Sequence, residues 1–154
     1  GWKCNMTDIQ AALGLAQLRR YPASLASRRA IVERYARNLH DRDVELLQHY
    51  GEGFESSGHL MFVRLRGKSQ AFRNALIERM AGDGVATNVH YKPLPLLTAY
   101  RDLGFDIADF PNALAQFENE VTLPLHTLLS DDDVDYVTAS FGRAYDELEA
   151  EGIR

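Results

Sequence analysis

The apolar positions of the opening stretch recur at helical spacing. Ile9, Leu13, Ala16 and Leu18 keep one face apolar through Arg19 and Arg20, and the segment GWKCNMTDIQAALGLAQL is apolar on most of its faces. Thr7-Asp8-Ile9-Gln10 has the form of a capping box, with Thr7 as N-cap and Gln10 reaching back. Pro22 lacks an N–H and has a fixed φ, so it is expected to end this helix and to suit the first turn of the next. A second long helix is expected over 23–43, with Ile31, Tyr35 and Leu39 as its apolar stripe and Arg28, Arg29, Arg34 and Arg37 on its wet side.

Tyr50 to Gly58 reads as a loop rich in Gly and Ser. The period then changes. HLMFVRLR, from His59 to Arg66, alternates like a strand with Met61, Val63 and Leu65 on one face. Ser69 caps a helix that places Phe72, Leu76 and Met80 on one stripe, and Gly82 and Gly84 stop it. Val85 to His90 reads as a second strand. Tyr91 to Asn112 has no period, holds Pro93, Pro95 and Pro111, and is long for a plain connector. Glu120 to Leu123 reads as a third, short strand. Ser130-Asp131-Asp132-Asp133 opens a last helix running to about Ala150, with acids near its positive end and Val134, Val137, Phe141 and Leu148 as core residues.

This order predicts a small α/β domain of the α+β kind: long N-terminal helices packed on a short, mostly antiparallel sheet. Its 154 residues suit one domain with one core. Because the chain starts on an apolar helix, it is expected to begin inside a larger structure, with that helix packed on absent protein or on a second copy. A net charge of −5 argues against a general nucleic-acid binder. No apolar run approaches the roughly 20 residues of a membrane helix. Cys4 is the only cysteine, so no internal disulfide forms, which fits a cytoplasmic location. It reads as a small buried apolar residue beside Trp2 and Met6 rather than as a catalytic thiol.

Two stretches carry candidate chemistry. Lys3 and Asn5 precede a helix N-terminus, where a cation and an amide can hold a phosphate; on the residues alone the favoured reading is a pair of exposed loop residues. In Asn88-Val89-His90-Tyr91-Lys92-Pro93-Leu94-Pro95, a strand end delivers His90, Tyr91 and Lys92 into a proline-fixed turn. This is either a substrate-facing edge or an aromatic pair packing the sheet. The five histidines show no metal-ligand spacing, so no metal site is expected. Asp131 to Asp133 read as a helix start rather than a cation site.

Four stretches, in this order, resemble the DegT/DnrJ/StrS family of pyridoxal-phosphate-dependent sugar aminotransferases: GWKCNMTDIQAALGLAQL, RRAIVERYARNL, GVATNVHYKPLPLLTAY and FPNALAQFENEVTLPLHTLLSDDDVDYV. The resemblance implies the C-terminal part of a fold type I enzyme. Residues 1–154 would be its small domain with the preceding interface helix, and the N-terminal domain with the Schiff-base lysine would lie upstream. Lys3, Lys68 and Lys92 are the only lysines, and none matches that position, so no catalytic residue is assigned here and this part alone should be inactive.

The resemblance further implies a homodimer that binds pyridoxal 5'-phosphate. An amino group, usually from glutamate, would pass to a keto-sugar nucleotide in amino-sugar and polysaccharide assembly. Residue by residue, Asn5 and Lys3 match positions near the cofactor phosphate of the partner subunit. The family commonly has Arg where Asn5 stands. His90 and Tyr91 match the loop that approaches the sugar nucleotide, and Lys92 could meet its diphosphate. The rivals are a sugar dehydratase of the same family, which uses His in place of the lysine, and a non-catalytic dimerisation or regulatory module.

Overall fold

The computed structural model describes residues 4–153. A single helix, α1 (Asp8–Asn38), replaces the two expected. Its start is the capping box of Thr7 and Gln10. Pro22 lies inside it and does not end it. An internal proline forfeits one backbone bond, here to the carbonyl of Leu18, and crowds that carbonyl. Both residues are exposed, so water can satisfy the freed group. Beyond Pro22 the helix is held by tertiary contacts. Ile31, Val32 and Tyr35 are buried in its second half, which lies on the last helix. Arg34 reaches Asp131 at 2.5 Å and Asp135 at 2.6 Å across that junction. The first half buries nothing within the chain: Ile9, Leu13 and Leu18 are 75%, 63% and 65% exposed. Cys4 and Met6 are exposed too, which corrects the reading of Cys4 as buried.

Because α1 ends at Asn38, the following residues are free to form a strand that the sequence reading missed. β1 (Val44–Leu46) pairs antiparallel with β4 (Met61–Leu65), and β4 pairs antiparallel with β5 (Glu120–Leu123). The order is β1-β4-β5. Between them the expected loop is a small hairpin, β2 (Tyr50–Gly51) and β3 (Phe54–Glu55), turned by Gly53 at positive φ. Met61, Val63 and Leu65 point to one face and are fully buried, as their alternation predicts. α2 (Gln70–Gly82), capped by Ser69, and α5 (Asp131–Ala150), capped by Ser130 with Asp133, cover that face. They contribute Phe72, Leu76, Met80, Val134, Val137, Phe141 and Leu148 to one continuous core.

The proline-rich stretch folds into two 3-10 turns, Leu94–Leu96 and Ile107–Asp109, and two short helices, α3 (Thr98–Arg101) and α4 (Pro111–Asn119). The strand expected from Val85 to His90 does not form. Only Asn88 pairs with the sheet, through an isolated bridge to Thr122.

Candidate functional site

All four residues of β5 are buried, and their side chains alternate. Val121 and Leu123 face the core with Val63 and Met61. Glu120 and Thr122 fall on the other face, where the register sets them opposite Arg64 and Phe62. On the free edge of β5 the chain returns at Asn88. Its N–H donates to the Thr122 carbonyl at 3.2 Å, and the Thr122 N–H donates back at 2.7 Å.

Past Asn88, side chains replace the ladder. The Val89 N–H donates to Asn88 Oδ1 at 2.8 Å, and the His90 N–H donates to Glu120 Oε2 at 3.0 Å. The His90–Tyr91 peptide is cis. His90 Nδ1 lies 2.9 Å from the Thr122 hydroxyl, which itself donates to Glu120 Oε1. Rings fix the imidazole plane, with Tyr91 edge-on at 4.6 Å and Phe62 tilted at 6.3 Å. His90 is half-buried, while Tyr91 and Lys92 are exposed. His90 packs the sheet edge, and Tyr91 and Lys92 project from it.

Beneath this group sit two buried charges. Glu120 is 1% exposed and Arg73, from α2, is 2% exposed. Arg73 Nη1 donates to the Glu120 carbonyl at 3.5 Å, and its guanidinium lies 5.1 Å from the Phe117 ring centre. Burial pushes the Glu120 carboxyl above its usual range, against the bonds from Thr122 and the His90 N–H and the charge of Arg73. Burial likewise lowers Arg73, against the charge of Glu120. Sequence reading missed Glu120, Thr122 and Arg73 as site residues. The available signal was EVTL itself, a strand too short and apolar to place Glu and Thr two apart without a partner for them.

A cleft of about 300 Å³ opens at this edge, lined by His59, Leu60, Thr87, Asn88, His90 and Thr122 among others. Beside Lys92 lies an apolar depression of about 340 Å³ walled by Pro93, Leu94, Pro95, Tyr100, Phe105 and Phe110. The first offers the His90 imidazole and the second an apolar wall with the Tyr100 ring; Tyr91 and Lys92 line neither.

Asn5 is elsewhere. It lines an open depression of about 410 Å³ with Cys4, Met6 and Gln10 only, next to the N-terminus of α1. Lys3 lies outside the described residues. The chain thus gathers His90 and Tyr91 with the β5 pair, and leaves Asn5 apart. Of the two described lysines, Lys68 is bound to Glu149 at 2.5 Å and enclosed by Phe72 and Tyr145. Lys92 is exposed. Among the described residues no group of three or more His, Cys, Asp and Glu is placed to hold a metal ion, and no helix is long and apolar enough to cross a membrane.

Residues 1–142 match the model of the DegT/DnrJ/EryC1/StrS aminotransferase family. A putative sugar aminotransferase of Streptococcus pneumoniae, in its PMP form, superposes with a TM-score of 0.95 at 50% identity, over 99% of this chain and 38% of that one. The Helicobacter pylori aminotransferase PseC, involved in pseudoaminic acid biosynthesis, superposes at 0.86 with 26% identity, over 96% of this chain and 39% of that one. The spore coat polysaccharide biosynthesis protein SpsC of Bacillus subtilis is 32% identical over 140 residues, 89% of this chain and 36% of the relative. The chain spans little more than a third of the length of these relatives.

Proposed function

Since this chain belongs to the DegT/DnrJ/EryC1/StrS aminotransferase family, we propose that it is the small C-terminal domain of a homodimeric, cytoplasmic enzyme that moves an amino group from glutamate to a keto-sugar nucleotide. The product would feed amino-sugar or polysaccharide assembly. The observation that carries this reading is the loop from Asn88 to Lys92, tethered to β5 by buried polar groups and turned outward at Tyr91 and Lys92. His90 packs the sheet edge, and Tyr91 and Lys92 are left exposed where a ligand could reach them.

Pyridoxal phosphate, when bound, supplies the electron sink that amino transfer requires. The residues present fit a part of that task. Asn5 is exposed beside the N-terminus of α1, where its amide can donate to a phosphate. Covalent capture does not fit. The Lys68 ammonium is held by Glu149 and two aromatic rings, and Lys92 belongs to the substrate loop. We place the holding lysine outside this chain, as the family resemblance implies, and read the chain alone as inactive. His90 and Tyr91 bind and orient the sugar, Lys92 meets the diphosphate, and the exposed half of α1 covers its apolar face with a second copy.

The test uses the full-length protein. Borohydride reduction in the presence of pyridoxal phosphate, followed by peptide mass spectrometry, should find a pyridoxyl-lysine upstream of Gly1. Cofactor bound without such an adduct would favour the dehydratase, and no cofactor binding would favour the non-catalytic module. His90→Ala should then raise the sugar-nucleotide KM without changing cofactor retention. Wild-type kinetics would return His90 to a packing role.

A further inference from the structure

We propose that Glu120, acting through the Thr122 hydroxyl, is a positioning residue that fixes the tautomer of His90, leaving the lone pair on Nε2. The argument is a count of protons. Thr122 has one hydroxyl proton and gives it to Glu120 Oε1. The 2.9 Å contact between Thr122 Oγ1 and His90 Nδ1 must then be filled by a proton from the ring. A neutral imidazole carries one N–H, so Nε2 is an acceptor.

The direction of the relay depends on the charge of Glu120. A protonated Glu120 would donate to Thr122, Thr122 would donate to Nδ1, and Nε2 would carry the hydrogen. Burial works against the carboxylate, and its polar neighbours hold it. Its two oxygens each accept a bond, from Thr122 and from the His90 N–H, and the Arg73 cation lies against the same residue's carbonyl. Arg64, opposite on β4, is turned to Glu45 and Asn119 instead.

An acceptor at Nε2 discriminates between ligand groups. It takes a hydrogen bond from a hydroxyl or N–H and offers nothing to a phosphate oxygen or carboxylate. His90 is thus set to read a hydroxyl-bearing ring, and the anionic part of the ligand is left to Lys92. Which ring it reads rests on the aminotransferase function proposed above; the tautomer does not.

Both parts are open to test. In the full-length protein labelled with 15N-histidine, two-bond proton–nitrogen correlations report which ring nitrogen is protonated, and His90→Gln identifies the signal. The wild type should show a protonated Nδ1 and a bare Nε2. Thr122→Ser should keep that pattern. Glu120→Gln should invert it: the Gln oxygen takes the His90 N–H, its amide donates to Thr122, and Thr122 donates to Nδ1. A wild-type proton on Nε2, or a Glu120→Gln spectrum like the wild type, overturns the proposal. In the full-length enzyme Glu120→Gln should raise the sugar-nucleotide KM about tenfold, one hydrogen bond's worth. If the tautomer pattern holds but His90→Ala has wild-type kinetics, the positioning stands and the assigned substrate falls.

Discussion

Replacing Glu120 by Gln removes one titrating group from the interior and should change how stability depends on pH. Glu120 is 1% exposed, and burial raises its carboxyl above the ordinary value, which is about 4.3. A raised pKa means the folded chain binds this proton more tightly than the unfolded chain does. The stability it contributes is therefore fully present below the unfolded value and is lost as pH rises through the folded one. Inside that window up to one proton separates the two states, so the slope reaches about 1.4 kcal/mol per pH unit. Gln has no such dependence. The stability of Glu120→Gln minus that of the wild type should rise with pH just above about 4.3 and then level off. Asp83, Asp133 and Asp135 have lowered carboxyl pKa values and the opposite pH dependence. They are present in both proteins and cancel in the difference. Urea unfolding followed by circular dichroism, from pH ~4 to pH ~8, measures it. A difference that is flat or falls with pH would refute the reading of Glu120 as a costly buried carboxylate.

Two further outcomes are expected. Leu13→Gln combined with Leu18→Gln should weaken self-association of the full-length protein. These side chains are 63% and 65% exposed, and covering each is worth roughly 1–2 kcal/mol per copy, so sedimentation equilibrium should show Kd raised by at least about tenfold; an unchanged Kd removes α1 from the interface. Asp135 is drawn down to about 2, first by its bond from Arg34 and then by that from Asn38, so it contributes stability that is lost as pH falls from the ordinary carboxylate range towards that value. In Arg34→Ala its carboxyl resonance should titrate nearer the usual value of about 3.9, and a midpoint still near 2 would show that Arg34 does not hold it.

Local chemistry made much of the fold legible. Thr7 with Gln10, Ser69 and Ser130 with Asp133 cap helices as the sequence indicates, because a cap is decided within four residues. The alternation of Met61, Val63 and Leu65 and the stripe of Phe72, Leu76 and Met80 became the core for the same reason. What failed depended on distant partners. Pro22 has a rule against it that assumes nothing else supports the helix; Ile31, Val32 and Tyr35 against α5 supply that support. The His90, Tyr91 and Lys92 segment was visible as unusual. The residues that hold it were not, because Glu120 lies thirty positions away and its meaning depends on which face of β5 it takes.

The missing strand from Val85 to His90 explains how that segment works. A continued strand would alternate His90, Tyr91 and Lys92 across the two faces of the sheet and would bind its backbone to β5. Instead the ladder stops after Asn88, and the next two N–H groups are taken by the Asn88 and Glu120 side chains. Buried backbone donors must find an acceptor, and a carboxylate set two residues from Thr122 provides one while letting the chain leave the sheet plane. The same carboxylate receives the Thr122 hydroxyl, so one buried acid both ends the strand and orients the imidazole. This accounts for a charge in the interior that burial disfavours. An apolar residue at 120 would leave the His90 N–H unpaired and the Thr122 proton undirected, and the loop would lose its anchor at the point where it turns outward.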